Sequence, residues 1–350
     1  MDYPQGVVRH PHDLGWEAGH PSQILFQLTA AQALFAAHDL RLFESMDQGS
    51  RTLPEICTRL GIQERAGQAL LSMCAGLGYV VRDQDGSYLL ADSARKYLLP
   101  DSPVYFGGAL DQAIAASEVL SFAGVKKALL SNQAQVYGGE KLFESHETQK
   151  QRARTFTRAM HSKSLAAAAA WPQVVDLGAH THLLDVGGGS GAHAIGACRQ
   201  APHLRATVFD RPLICELAGE LIGEAGLADR IRTVAGNMWT DPLPRADVHF
   251  FSDIFHDWPH DKCAFLARKS FEALPPGGKI LIHEMLLNDD KTGPFAAAAY
   301  NIQMLLWTEG QQWSGQELRQ ILTEAGFADF RTAATGFGDW QLASAVKPGN

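Results

Sequence analysis

The 350-residue chain lacks the marks of a secreted, membrane-spanning or nucleic-acid-binding protein. It has no CxxC pair, and its five cysteines (57, 74, 198, 215, 263) are scattered and odd in number. That pattern excludes a disulfide framework or a zinc ribbon and fits free thiols in a reducing compartment. No apolar run reaches the length that spans a bilayer, and "MDYPQGVVRHPHDLGWEAGH" has no signal-peptide pattern, so a cytoplasmic location without a membrane partner is expected. Charged residues are only 19% of the chain and the net charge is −8. A chain this short of positive charge is poorly suited to follow a phosphate backbone, and no nucleic-acid partner is expected. No internal repeat is present.

What is there suits two domains. The first twenty residues, with three histidines beside prolines and glycines, read as a flexible tail. Residues 22 to 48 place apolar side chains at helical spacing over more than one helix. "TLPEICTRLGI" reads as a helix capped near Thr52, and "ERAGQALLSMCAGLGYV" as a second helix. "VVRDQDGSYLLAD" is a β-hairpin with Asp-Gly at its turn. Helices followed by a hairpin give a winged-helix order, a shape often used on DNA. The second helix, residues 64 to 77, carries only Glu64 and Arg65 as charges, so packing against another protein chain is the better expectation. Residues 104 to 170 read as helical throughout, with the run "LAAAAAW" suited to close helix packing.

From residue 182 short strands and helices alternate, which predicts an α/β, doubly wound and mostly parallel sheet. "FADFRTAATG" and "DWQLASAVK" close it as an antiparallel pair. Ligands of such sheets lie beyond the carboxyl ends of the strands, near the switch in strand order. There "LLDVGGGSGAHA" leaves a strand and opens a helix, with glycines at 187, 189 and 191 that let the backbone turn and approach a ligand. Asp210 ends the next strand, where its carboxylate can accept both hydroxyls of a ribose. The glycine spacing alone suits NAD or S-adenosylmethionine. Asp185 before the loop, placed to receive a ligand ammonium, and "AGNMW", offering Asn237 and Met238 to an adenine, favour the second.

These segments, with "TVFDRP", "SDIFHDWPHDKC", "ALPPGGKILIHEMLL" and "NIQMLLWTEGQQWSGQELRQILTEAGF", resemble the plant-type small-molecule O-methyltransferases, animal acetylserotonin O-methyltransferases and bacterial secondary-metabolite enzymes among them. The resemblance spans residues 20 to 347. It implies a winged-helix-like dimerisation domain at 21–105 and, at 106–350, a helical linker plus a Rossmann-like class I methyltransferase domain. It also implies a homodimer, S-adenosylmethionine as cofactor and a small aromatic substrate. Ser164, Asp185, Gly187, Gly189, Asp210, Arg211, Gly236, Asn237, Met238 and Asp253 are carried over as cofactor residues. Asn237 stands where relatives have Asp, and Asp253 where they often have Lys or Arg. Met160 is carried over as an acceptor-pocket candidate, and Gln303, Met304, Trp307 and Trp313, with Phe255 and Phe156, offer an aromatic-lined slot that suits a flat, largely apolar acceptor.

His256 matches the family's catalytic base, and the residues support that role independently. Methyl transfer from a sulfonium needs positioning and a deprotonated nucleophile, and a histidine at the end of a central strand can take a phenolic proton at neutral pH. Glu284 matches the acid that orients the imidazole. Gln312 and Trp313 replace a usual Glu-Arg pair, and an amide can position an imidazole without stabilising its cation. Three rival readings remain. His256 and His260 share a helical ligand spacing, with Asp257, His249 and His283 near in sequence, which allows a metal-assisted C-methylation of a 2-oxo acid, although only Thr308 stands where a third motif-matched ligand would be sought. The others are a metabolite-sensing winged-helix regulator and a NAD-dependent oxidoreductase. No metal is expected.

Overall fold

The computed structural model describes residues 20–49, 51–136 and 150–349; the expected tail lies outside them but for His20. The chain forms two units that divide between Ile114 and Ala115.

The first unit opens with helices α1 (Ser22–Asp39), α2 (Leu42–Met46), α3 (Leu53–Leu60) and α4 (Glu64–Gly76), followed by the antiparallel hairpin β1 (Val80–Arg82) and β2 (Tyr88–Leu90). A capping box starts α3: Glu55 accepts the backbone N–H of Thr52 at 2.8 Å, and Gly61 ends the helix at φ +68. The buried face of α4 is Gly67, Leu71 and Cys74, one stripe at helical spacing. A side chain at Gly67 would strike Cys57 Sγ, which is why α3 and α4 can approach so closely. In the hairpin turn Asp83 Oδ1 accepts the Ser87 N–H at 2.8 Å. Leu42, Phe43, Met46, Ile56 and Leu71 form the centre of this core with Val80 and Tyr88. The unit runs past residue 105, because α6 (Gly107–Ala115), after α5 (Asp92–Leu98), places Leu110 in that core and Asp111 on His38 Nε2 at 2.8 Å. On α1, Ile24, Leu25, Phe26 and Leu28 stay exposed.

The second unit begins with α7 (Phe122–Ser131) and α8 (Lys150–Ala170). Residues 104 to 170 are thus not helical throughout: Asn132 ends α7 in the left-handed region, and residues 137–149 lie outside the described chain. The alanine run does serve close packing, since a side chain at Gly196 would meet the Ala168 carbonyl. Seven strands follow, β3 (His182–Val186), β4 (Arg205–Asp210), β5 (Ile231–Ala235), β6 (Val248–Ser252), β7 (Lys279–Met285), β8 (Ala328–Ala334) and β9 (Trp340–Val346). Their order is β5-β4-β3-β6-β7-β9-β8, parallel except for β9, which runs antiparallel to both neighbours. Helices α9 (Ala192–Gln200), α10 (Pro212–Glu224), α11 (His260–Ala273) and α13 (Gly315–Glu324) alternate with the strands, and α12 (Phe295–Trp307) stands outside that alternation.

The central strands are apolar on both faces, as helix-covered parallel sheets require. Leu183, Leu184, Val186, Phe250 and Ile282 are buried, and Trp171 stacks on Phe250 with ring centroids 4.3 Å apart. The order reverses at β3, which has β4 on one side and β6 on the other. The loops leaving β3, β4, β6 and β7 therefore converge on one crevice.

Candidate active site

The glycine loop owes its shape to two acids. Asp185, at 1% exposure, lies under Gly188, is held by the Ala194 backbone and has no partner for Oδ2 among the described residues. Burial pushes its carboxyl up to about 7. Asp210, at the end of β4, accepts the Gly189 N–H at 2.9 Å and the Arg211 N–H at 2.7 Å, tying the loop to the neighbouring strand. Gly187 has φ +67 and a Cβ there would meet Ile254, whereas Gly189 at φ +54 faces open space. At the end of β5, Gly236 donates to the Asp210 carbonyl at 2.9 Å and leaves no room for a side chain beside Phe209. Asn237 Oδ1 accepts the Trp239 N–H at 3.0 Å, with Met238 half-buried next to it. A nucleoside-bearing cation fits this end of the crevice: open backbone at Gly189, a ribose-side carboxylate at Asp210 and, beneath the loop, an acid with one oxygen unpartnered among the described residues.

His256 lies in a single 3-10 turn after β6, 2% exposed. Its Nδ1 bonds Gln312 Oε1 at 3.0 Å. With the amide oxygen accepting, Nδ1 carries the proton and Nε2 keeps its lone pair. Burial lowers the imidazole to about 4, so it is neutral at physiological pH. Glu284 does not touch the ring, contrary to expectation: its Oε1 accepts the His256 backbone N–H at 3.1 Å. The reason is position, since the end of β7 brings the fully buried carboxyl to the main chain of the turn. Burial raises Glu284 well above the usual carboxylate range. Gln312 in turn is fixed by α12, where Asn301 Oδ1 accepts its N–H at 2.8 Å, and by Trp313, whose indole donates to the Phe255 carbonyl at 2.9 Å. Phe255 is a second correction. Its ring is wholly buried edge-on to Phe251, so it is core and lines no pocket.

Two residues of this site escaped the sequence reading. Tyr300 stands edge-on to His256, ring centroids 5.1 Å apart, and its hydroxyl donates to Asp253 Oδ1 at 3.2 Å. Lys163 donates to that hydroxyl, lies over the Tyr300 ring at 4.1 Å and reaches Asp253 Oδ2 at 3.9 Å. Helical spacing carried the signal: Phe156, Met160 and Lys163 follow at i, i+4 and i+7 on α8, as Ala297, Tyr300 and Met304 do at i, i+3 and i+7 on α12. Met304 and Tyr300 pack with Ala167 and Trp340. Phe156, Met160, Ser164 and Trp307 are half-buried, while Gln303 is exposed, one step round α12 from Met304. The three other histidines of a possible metal site, His249, His260 and His283, do not converge on His256. His249 bonds Ser270, His283 bonds Ser252 and stacks on Trp340, and His260 is exposed at the start of α11.

Residues 123–328 match the model of the O-methyltransferase domain, and residues 22–100 that of the O-methyltransferase dimerisation domain. The chain belongs to the O-methyltransferase family. It is 36% identical over 309 residues to the 3-hydroxy-5-methyl-1-naphthoate 3-O-methyltransferase of Streptomyces sahachiroi, covering 87% of this chain and 88% of that one. To the tetracenomycin polyketide synthesis 8-O-methyl transferase TcmO of Streptomyces glaucescens it is 30% identical over 353 residues, 99% of each chain. Its fold matches that of human N-acetylserotonin methyltransferase in complex with SAM, with a TM-score of 0.85, 24% identity and coverage of 95% and 100% of the two chains. The regulator and oxidoreductase readings end here, because this is a methyltransferase.

In this methyltransferase the buried Gln312 amide is the acceptor for the imidazole Nδ1–H. Gln312→Leu keeps the bulk and removes the acceptor, leaving a buried donor unpaired. We expect a loss of about 1–3 kcal/mol of unfolding free energy by denaturant titration. An unchanged midpoint would show that the ring finds another partner.

Proposed function

We propose that this methyltransferase moves a methyl group from S-adenosylmethionine to the hydroxyl of a small aromatic metabolite of secondary metabolism, with His256 as the proton acceptor. The observation that carries the reading is the neutral imidazole at the end of β6, its Nδ1 held by Gln312 and its Nε2 lone pair free to accept. Bound S-adenosylmethionine supplies an electrophilic methyl group on a sulfonium that departs as a neutral thioether. The chain's own part is to hold, orient and deprotonate. Asp210 and the Gly187–Gly191 backbone hold the nucleoside side, and the ionised form of Asp185 favours a cation above the loop. His256 Nε2 takes the hydroxyl proton as the acceptor oxygen attacks. Tyr300, Met304 and Trp340 supply aromatic and thioether surface beside the imidazole, which suits a flat, largely apolar acceptor. The 3-hydroxyl of the naphthoate named for the Streptomyces sahachiroi relative is an acceptor of this kind.

The matched dimerisation domain supports a homodimer made through the N-terminal unit, and the exposed Ile24, Leu25 and Leu28 of α1 give that unit an apolar surface. Light scattering at micromolar concentration is expected to find a dimer that Leu25→Asp weakens. A wild-type monomer contradicts the assignment.

Asp210→Ala is expected to weaken S-adenosylmethionine binding more than about tenfold by calorimetry, the scale of a charge-assisted contact of roughly 1.5–3 kcal/mol. Unchanged affinity, or binding of NAD instead, overturns the cofactor assignment. His256→Ala is expected to lower turnover about 10²–10⁴-fold with cofactor affinity preserved. Since the base works unprotonated and burial holds it near 4, the wild-type rate should stay level from pH 8 to pH 6 as far as His256 is concerned and fall as the pH drops through about 4. If His256→Ala retains most of the activity, orientation alone carries the transfer and the base is not His256.

A further inference from the structure

A neutral amide on Nδ1 orients His256 but does nothing to offset the charge that the ring gains with a proton. The carboxylates nearest the ring stand at the other nitrogen. Asp253 Oδ1 is 3.7 Å and Asp257 Oδ1 3.6 Å from Nε2. These two acids are not equivalent. Asp257 is buried with Asp253 beside it, and both raise its carboxyl well above the usual range against a smaller opposing effect of Lys163, with which it forms no ion pair among the described residues. Asp253 has donors of its own, the Tyr300 hydroxyl on Oδ1 and the Lys163 ammonium near Oδ2. Of the two carboxylates crowded at this nitrogen, Asp253 is the one with a cation and a hydroxyl against it.

The backbone places Asp253 for this. It follows β6 at φ +54, a left-handed conformation that is unusual for a residue other than glycine and that Asp tolerates better than most. Its N–H points to the His283 carbonyl at 3.4 Å. Lys163 is itself confined, with the Tyr300 ring at 4.1 Å and the Trp340 ring at 6.0 Å from its ammonium. The groups that face this corner are Asp253 and Asp257 from the turn, Lys163 from α8, Tyr300 from α12, Gln312 from the segment before α13, Glu284 from β7 and His193 from α9. Among them only Asp253 is both paired with a cation and adjacent to Nε2.

We propose that Asp253, held by Tyr300 and Lys163, is the carboxylate that stabilises the His256 imidazolium during methyl transfer, in place of the acid that Gln312 does not provide. The proposal rests on His256 being the base. When the acceptor oxygen forms its bond to the methyl carbon, the hydroxyl proton passes to Nε2 and the C–S electron pair leaves with sulfur. The new imidazolium then stands against the Asp253 carboxylate, and it returns its proton to solvent after product leaves. Asp253 is thus a positioning and charge-balancing residue acting through His256, a role different from a contact to the cofactor.

The test measures kcat, acceptor KM and S-adenosylmethionine Kd for Asp253→Asn, Tyr300→Phe and the double variant Asp253→Asn/Gln312→Glu, each over a range of pH. Asp253→Asn should lower kcat about ten- to a hundredfold, the effect of one to two pKa units on the base, with cofactor Kd within about threefold of wild type. Its acidic limb should move to lower pH, because removing a neighbouring negative charge favours the neutral ring. Adding Gln312→Glu should restore at least about tenfold of the lost rate and move the limb back up, since a carboxylate then faces Nδ1. Tyr300→Phe, which removes one hydroxyl, should show a smaller fall of the same kind. If Asp253→Asn keeps kcat while His256→Ala does not, the base stands and this assignment falls. A Kd that rises in step with the loss of kcat makes Asp253 a cofactor ligand instead, and failure of Gln312→Glu to rescue also overturns the proposal. Should Asp253→Asn not fold, wild-type kcat in a folded Tyr300→Phe decides against it.

Discussion

The hydrogen bond between His256 Nδ1 and Gln312 Oε1 is the contact on which the active corner depends. It decides which ring nitrogen carries the proton, and so which one is left to accept another. It also joins two distant parts of the chain, the turn after β6 and the segment before α13. Each end is anchored separately. Glu284 grips the main chain of the turn, while Asn301, the Trp313 indole and the Ser314 capping box fix the segment that presents Gln312. A buried neutral imidazole would otherwise be free to rotate or to flip its tautomer, and a base in the wrong tautomer is a donor.

The sheet order explains why the two halves of the chemistry meet. Strand β3 delivers the glycine loop and β6 delivers His256, and these are neighbours where the strand order reverses. Asp210 fastens the loop from the next strand out. Loops from four strands and two helices meet in one crevice, so the cofactor side and the acceptor side can be tuned by different elements. Helices α8 and α12 carry no cofactor loop, yet they supply the residues around the imidazole that make its surroundings unlike a plain apolar pocket.

Much of this was legible in the sequence, for physical reasons that apply residue by residue. Strand–helix alternation, the glycine loop and Asp210 are local patterns, set by backbone sterics and by the position of a strand end, and they read directly. The position of His256 directly after a central strand was legible as well. What was hidden depends on contacts between elements far apart in the chain. The direction of the Glu284 carboxyl is a matter of a few ångströms at the end of β7, and no spacing rule separates a bond to a ring from a bond to the backbone beside it. Phe255 looked like pocket lining because its ring is apolar surface next to His256, yet the turn packs it against Phe251 in the core. Lys163 hid inside an alanine-rich helix, where a single cation passes for a solvated residue, and Tyr300 lay in a helix outside the strand–helix rhythm. Both share a helical stripe with residues already marked, so periodicity followed past the obvious motifs would have found them.

The most direct measurement of the central claim is the protonation state of His256 itself. Nitrogen-15 NMR of the imidazole, assigned by comparison with His256→Gln, should show at pH 7 a neutral ring with the proton on Nδ1 and a bare Nε2. That is the state of an imidazole held by Gln312 and lowered by burial to about 4. A cationic ring at that pH, or a neutral ring protonated on Nε2, would contradict the account.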